Sequence, residues 1–216
     1  VPRVKLKRQP NWVLVGKDND IFNKMKQSEI FFHFASHGVS PQKTNWSTLI
    51  HYNIVESFNL VNLAHRAGMR KIVIIGTFEE LGKNFHKFGY SNSLKLIPET
   101  PYASSKVAFL SLLYSFSRIK KLKIIYFRVA NAYGVGQYEN NLWISLKNAA
   151  YKGDSFLIRN GNIRKSFLPV SEVISQLFDN LKFSEMNYGD LLEIPIKNKD
   201  EQTVAEFASF WWKKWN

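Results

Sequence analysis

Three short apolar runs, Ile30–Ala35, Lys71–Ile75 and Leu122–Phe127, alternate with longer amphipathic stretches along the chain. Runs of this length, rich in β-branched and aromatic residues, read as strands buried on both faces. Between the first two runs, a helical pattern over 41–67 stops at Gly68, the residue type favoured just past a helix C-terminus. Between the second and third, residues 102–119 set Val107, Leu110, Leu113 and Tyr114 along one side of a helix. Strand and helix alternating in this way require a parallel sheet with helices on both faces. The fold class expected is therefore α/β, a doubly wound, Rossmann-like parallel sheet.

Past the third run the spacing predicts a helix around 140–152 and a short strand at 156–158. A last helix opens at Thr203-x-x-Glu206, a capping-box pattern. It places Val204, Phe207, Ala208, Trp211 and Trp215 on one face, where the tryptophans read as packing residues. Residues 1–135 are expected to hold the main sheet, and residues 136–216 a smaller region with segments returning to it.

In sheets of this class ligands bind beyond the carboxyl ends of the strands. Those ends carry small or polar residues here: Ala35-Ser36-His37-Gly38, Gly76-Thr77-Phe78-Glu79-Glu80, and Arg128 through Gly134. Tyr102 and Lys106 stand four apart on the helix between the second and third strands, so they share a face. A phenol is a poor acid or base at neutral pH, and a nearby ammonium favours its ionised form. A hydroxyl such as that of Thr77 can fix a substrate oxygen beside them. The three groups together suit moving a proton on or off a carbinol while a hydride is transferred.

Composition narrows the alternatives. The chain has no cysteine, which excludes disulfides, thiol catalysis and Cys–zinc sites. No cluster of acidic or histidine residues has metal-ligand spacing, so no metal is expected. No apolar run approaches the roughly 20 residues needed to span a bilayer, and a cytoplasmic location is expected. The net charge of +13 is concentrated in the first two thirds of the chain. It contains no run of five or more basic residues, so a solvated basic surface is the simpler reading and nucleic-acid binding is not expected.

The motifs, taken in order, resemble the extended short-chain dehydrogenase/reductase family, its nucleotide-sugar-modifying epimerase/dehydratase branch. The resemblance runs from about Trp12 to the C-terminus. It rests on Phe32-His33-Phe34-Ala35-Ser36, on Asn53 within Tyr-Asn-Ile-Val-Glu-Ser-Phe-Asn-Leu, on Thr77 with Gly82 closing its loop, and on Pro101-Tyr102-Ala-Ser-Ser-Lys106. Arg128-x-x-Asn131-x-Tyr133-Gly134 and the segment from Asn160 to Phe167 complete it.

The resemblance implies an NAD(P)-dependent epimerase or ketoreductase acting on a nucleotide-linked sugar, with residues 1–135 an incomplete dinucleotide-binding domain and residues 136–216 mainly a substrate-binding region. Tyr102 would be the acid/base, Lys106 would support it and touch the nicotinamide ribose, and Thr77 would bind the sugar oxygen. Phe34, Ala35, Ser36 and Asn53 would contact or organise the NAD or NADP site. Asn131 would meet the substrate. For the substrate diphosphate, Arg164 is preferred over Lys165, because a guanidinium binds such a group bidentately. A homodimer is compatible with relatives that pair through the helices matching 41–67 and 102–119.

The departures carry information too. Family dehydratases place an Asp-Glu pair directly after the threonine, and here Phe78 and Glu79 stand there. That ranks dehydration below epimerisation or ketoreduction. Gly16-Lys17-Asp18 is similar to the family's contact to adenine, with a lysine intervening. No G-x-x-G-x-x-G loop is present, so this chain is expected to begin after the second strand of the family's sheet, lacking roughly 40 residues of a strand–helix–strand unit. Two other readings stay open at this point: a non-catalytic binding protein on the same fold, and an inactive remnant.

Overall fold

The computed structural model describes residues 18–39, 45–82 and 95–215. Four parallel strands form the main sheet: β1 (Ile30–His33), β2 (Lys71–Thr77), β3 (Lys123–Val129) and β7 (Leu191–Ile196), side by side in that order. Their registers pair Ile30 with Lys71, Lys71 with Lys123, and Ile124 with Leu191. The three expected strands are thus present and adjacent. The fourth, β7, is a finding of the structure.

Strand alternation divides the core into two layers. On one face, Ile72, Ile74, Ile124 and Tyr126 pack against Val61, Phe109, Leu110 and Leu113. These come from helices α3 (Ser57–Arg66) and α4 (Pro101–Lys120). On the other face, Val73, Ile125 and Phe127 pack against Val173, Leu177, Phe183 and Met186. Helix α6 (Val170–Asp179) supplies two of these residues. Helices therefore cover both faces of the sheet, as a Rossmann-like fold requires. Tyr114, expected on the packed side of α4, is instead partly exposed, while Phe109 takes a core position.

The helix expected over 41–67 starts at Trp46, where the Asn45 side chain accepts from the Thr48 amide. Its first expected residues, 41–44, lie outside the described residues, as do Gly16 and Lys17. After α2 (Trp46–Ile50), one π-helical stretch, His51–Glu56, interrupts the helix before α3. A π-turn adds a residue to the turn and rotates side chains off the ordinary helical face. Here it turns Asn53 fully inward.

The expected strand at 156–158 does not form. Leu157 is 82% exposed, and the segment has no neighbouring strand to pair with among the described residues. An apolar triplet without a partner leaves its backbone to water and gains nothing from extension. Two small pairs build the C-terminal region instead. β4 (Asn131–Tyr133) runs parallel to β6 (Phe167–Pro169), and β5 (Arg164–Lys165) runs antiparallel to β8 (Gln202–Thr203). Helix α5 (Leu142–Lys152) and helix α7 (Val204–Trp215) close over them. The capping box is formed as its spacing predicts. Glu206 donates its amide to Thr203 Oγ1 at 3.0 Å, and its carboxylate accepts from the Thr203 amide at 2.7 Å.

Candidate active site

A cavity of about 520 Å3 opens at the carboxyl end of the sheet. Strand β2 brings Ile75, Gly76 and Thr77 to its floor, and the end of β3 brings Val129 through Ala132. Phe34 and Ser36, just beyond β1, form one wall, and Tyr102 projects from the first turn of α4. The far wall is built by Tyr133, Trp143, Lys165, Phe167 and Phe207. The Thr77, Tyr102 and Asn131 positions singled out in the sequence thus converge on one space.

Local structure explains each placement. Thr100 caps α4, its hydroxyl accepting from the Ala103 amide at 3.1 Å, and Pro101 occupies the first helical position. This fixes where the helix starts and so where Tyr102 faces. Ser36 donates its hydroxyl to the Tyr102 oxygen at 3.5 Å. Lys106, one turn on, is 3% exposed beneath that position. Burial lowers its pKa to about 8, and the charge of Glu80 works in the opposite direction.

The sequence led to the expectation that an ammonium would lower the Tyr102 pKa. In the structure the largest influence on Tyr102 is burial, which raises it. Ser36 acts the other way, and Glu79 and Glu80 raise it further. Burial, with the two carboxylates adding to it, thus moves the phenol in the direction opposite to the one foreseen from the Tyr–Lys spacing alone.

Thr77 ends β2 and caps the 3-10 turn Phe78–Leu81. Its Oγ1 accepts from the Glu79 amide at 3.3 Å, so its own proton is free to be donated into the cleft. Glu79 also lines the cleft, and its carboxylate accepts from the Thr100 hydroxyl at 3.3 Å. Phe78 is buried against Leu81.

Asn53 does not line the cavity. Its Oδ1 accepts from the His37 amide at 2.8 Å, and its Nδ2 donates to the His37 carbonyl and to Ser105 Oγ. It therefore staples the loop after β1 to α4, beside Lys106. Ala35 is exposed and is not among the cavity-lining residues, whereas its neighbours Phe34 and Ser36 are. Asn131 lines the cleft, held by its amide and side chain to the Ser166 carbonyl. Arg164 donates to the Glu201 carbonyl and is not a lining residue, while Lys165 is. Adjacent residues of a strand face opposite ways, and in β5 the lysine faces the cleft.

The sequence reading missed the aromatic wall. Tyr133, Trp143, Phe207, Trp211 and Trp215 form one continuous ring cluster, with Phe167 stacked on Phe207 at 4.0 Å between centroids. The tryptophans pack as expected, but Trp143 also faces the cavity. It missed Glu80 as well, although Thr77-x-x-Glu80 has the same capping-box spacing as Thr203-x-x-Glu206. Among the described residues no group of histidines and acids is placed to hold a metal, and no helix is long and apolar enough to cross a membrane.

A parallel sheet covered on both faces, with its cavity at the strands' carboxyl ends, defines a Rossmann-like α/β protein. The chain belongs to the NAD dependent epimerase/dehydratase family, whose model matches residues 14–179. A curated relative, dTDP-D-glucose 4,6-dehydratase of Mus musculus, is 27% identical over 155 residues, covering 70% of this chain and 43% of the relative. The fold is similar to that of UDP-N-acetylglucosamine 4-epimerase from Methanobrevibacter ruminantium M1 in complex with UDP-N-acetylmuramic acid. That match has a TM-score of 0.78 and 21% identity, over 88% of this chain and 61% of the other. It is similar too to dTDP-glucose 4,6-dehydratase from Bacillus anthracis in complex with NAD, with a TM-score of 0.74 and 21% identity, over 89% of this chain and 59% of the other. The chain thus spans less than half the length of the curated relative and about three fifths of the solved structures.

Proposed function

We propose that the protein containing this chain is an NAD(P)-dependent epimerase or ketoreductase acting on a nucleotide-linked sugar. The observation that carries this reading is the convergence of Thr77, Ser36 and Tyr102 on one cavity with Lys106 buried one turn below. Family membership and the nucleotide sugars and NAD in the similar structures support it.

The residues present suit the cofactor. Phe34 offers an apolar ring to one side of the cleft and Ser36 a hydroxyl, while the Lys106 ammonium is buried one turn on from Tyr102 and does not itself line the cleft. Bound there, a nicotinamide group would take or give the hydride at the sugar carbon. Thr77 donates to the sugar oxygen. Tyr102 exchanges the proton with that same oxygen, and Lys106 stabilises the phenolate this leaves. Lys165 supplies the positive charge for the diphosphate.

Dehydration ranks lower because the residue after Thr77 is the buried Phe78, which carries no proton to give a departing hydroxyl. Glu79 is a carboxylate at the cleft without an acidic partner directly before it. The test is turnover of UDP- and dTDP-sugars by the full-length protein with NAD or NADP, comparing wild type with Tyr102→Phe. Activity lost in the variant with cofactor binding retained supports the reading. Equal activity in the two overturns it.

A further inference from the structure

Behind the floor of the cleft lies a carboxylate that the proposed chemistry does not use. Glu80 is fully buried, with no exposed surface. Its Oε1 accepts from the Thr77 amide at 2.8 Å and from the Tyr126 hydroxyl at 2.7 Å. Its Oε2 accepts from Arg128 Nε at 2.9 Å. Arg128, itself 4% exposed, pairs through Nη1 with Glu193 on β7, and the Tyr114 hydroxyl of α4 donates to the same carboxylate. One carboxylate thus ties the end of β2 to β3, and through Arg128 to β7 and α4.

A buried carboxylate is costly unless paired and hydrogen-bonded, and three donors on two oxygens meet that demand. Apolar residues in place of the whole Glu80–Arg128 pair would fill the same space at no greater cost. The arrangement has two effects at the cleft that an apolar residue would not have. It closes the capping box in which the Thr77 hydroxyl accepts from the Glu79 amide and keeps its proton for the cleft. The charge of Glu80 also acts on the buried ammonium of Lys106, opposing the effect of burial there.

We propose that Glu80 is a positioning residue, which fixes the Thr77 hydroxyl as a donor and balances the charge of Lys106 from behind the cleft wall. The inference rests on the reading of Thr77, Tyr102 and Lys106 given above. The charge of Glu80 keeps the Lys106 pKa from falling further than burial alone would take it. The titratable or charged groups that bear on this arrangement are Tyr126, Arg128 and Glu193 around Glu80, Tyr102 at the cleft, and His33, whose pKa Lys106 lowers.

The test uses the full chain carrying Glu80→Gln, which keeps the shape and an acceptor but removes the charge. The first readout needs no substrate: the pH dependence of Lys106 modification by an amine-selective acylating reagent, followed by peptide mass spectrometry. Its midpoint is expected to fall by about one pH unit in the variant. The second is turnover, where kcat is expected to fall about tenfold with KM changed less than about threefold. An unchanged Lys106 midpoint in a cooperatively folded Glu80→Gln protein overturns the proposal.

If that variant does not fold, Tyr126→Phe removes one donor from the carboxylate and keeps the ring. Exchange of the Thr77 amide with solvent is then expected to rise about tenfold. Exchange at the wild-type rate overturns the proposal. The Lys106 titration and the Thr77 exchange decide the role of Glu80, whereas Tyr102→Phe turnover decides the proposed function, so the two can fail separately.

Discussion

Arg164 and Lys165 are consecutive residues of one two-residue strand, yet only the lysine faces the cleft. The arginine is spent on the Glu201 carbonyl. Lys165→Ala should raise KM for a nucleotide sugar about tenfold, the loss of one charged contact, with little change in kcat. Arg164→Ala should leave KM within about threefold of wild type. Steady-state kinetics on the two variants checks this, and the reverse ranking would return the diphosphate contact to Arg164.

Lys106 carries a stability cost that follows from its placement. Burial holds its pKa at about 8, below the ordinary 10.5, so between these values the unfolded chain binds more protons. The stability it contributes is present above 10.5 and lost as pH falls through 8. At pH 7 the difference is about 3 kcal/mol. Lys106→Met should therefore unfold at higher urea concentration than wild type at pH 7, while losing turnover. The gap between the two proteins should close as pH approaches 10.5.

His33 behaves in the same sense at lower pH. It is buried on β1 with its ring edge-on to Phe109, and its Nε2 has no partner among the described residues. Burial first, and the charge of Lys106 second, lower its pKa to about 4. The stability linked to the neutral imidazole is present above 6.5 and lost as pH falls from there to 4, in total about 3 kcal/mol. Urea unfolding at pH 4.5 and 7 should show a smaller acid-induced loss in His33→Leu than in wild type. An equal loss in both would contradict the assignment.

Gly82 closes the turn that carries Thr77, with φ 54° and ψ −146°. A Cβ there would stand 2.1 Å from the Ile97 carbonyl oxygen. Gly82→Ala combines a backbone conformation that L-residues avoid with a clash against main chain, and should cost about 3 kcal/mol or more. Gly68 also has positive φ, but a Cβ there meets nothing within 4 Å. Gly68→Ala should cost about 1 kcal/mol. Thermal unfolding of the two variants should show this order.

The main sheet was legible because its strands are apolar runs whose period and length leave little choice. The same held for α4, from the helical spacing of its apolar residues, and for α7, which opens on the capping box at Thr203. The strand expected at 156–158 failed because its triplet had the composition but no partner, and pairing is not written in a local window. Strand β7 escaped notice because Glu193 and Pro195 interrupt its apolar pattern, and Glu193 is accommodated by pairing with Arg128 from β3 and by the Tyr114 hydroxyl of α4. Within the site, Thr77, Tyr102 and Asn131 were found by residue type and order. Choosing between Arg164 and Lys165 needed the facing of a strand, which two adjacent cations do not reveal. Asn53 was recognised, but its engagement with His37 and Ser105 depends on the π-turn that rotates it inward.

The ring cluster beside the cleft has an optical consequence. Trp143, Trp211 and Trp215 lie within 5.0 to 5.5 Å of one another, and Trp143 borders the cavity. Indoles this close couple electronically, so their near-ultraviolet dichroism and emission report on the geometry of the group as a whole. Half of the six tryptophans in the chain belong to it. A ligand that settles against the Trp143 wall would therefore announce itself in the intrinsic fluorescence, giving a label-free titration for any sugar nucleotide before its reaction is known.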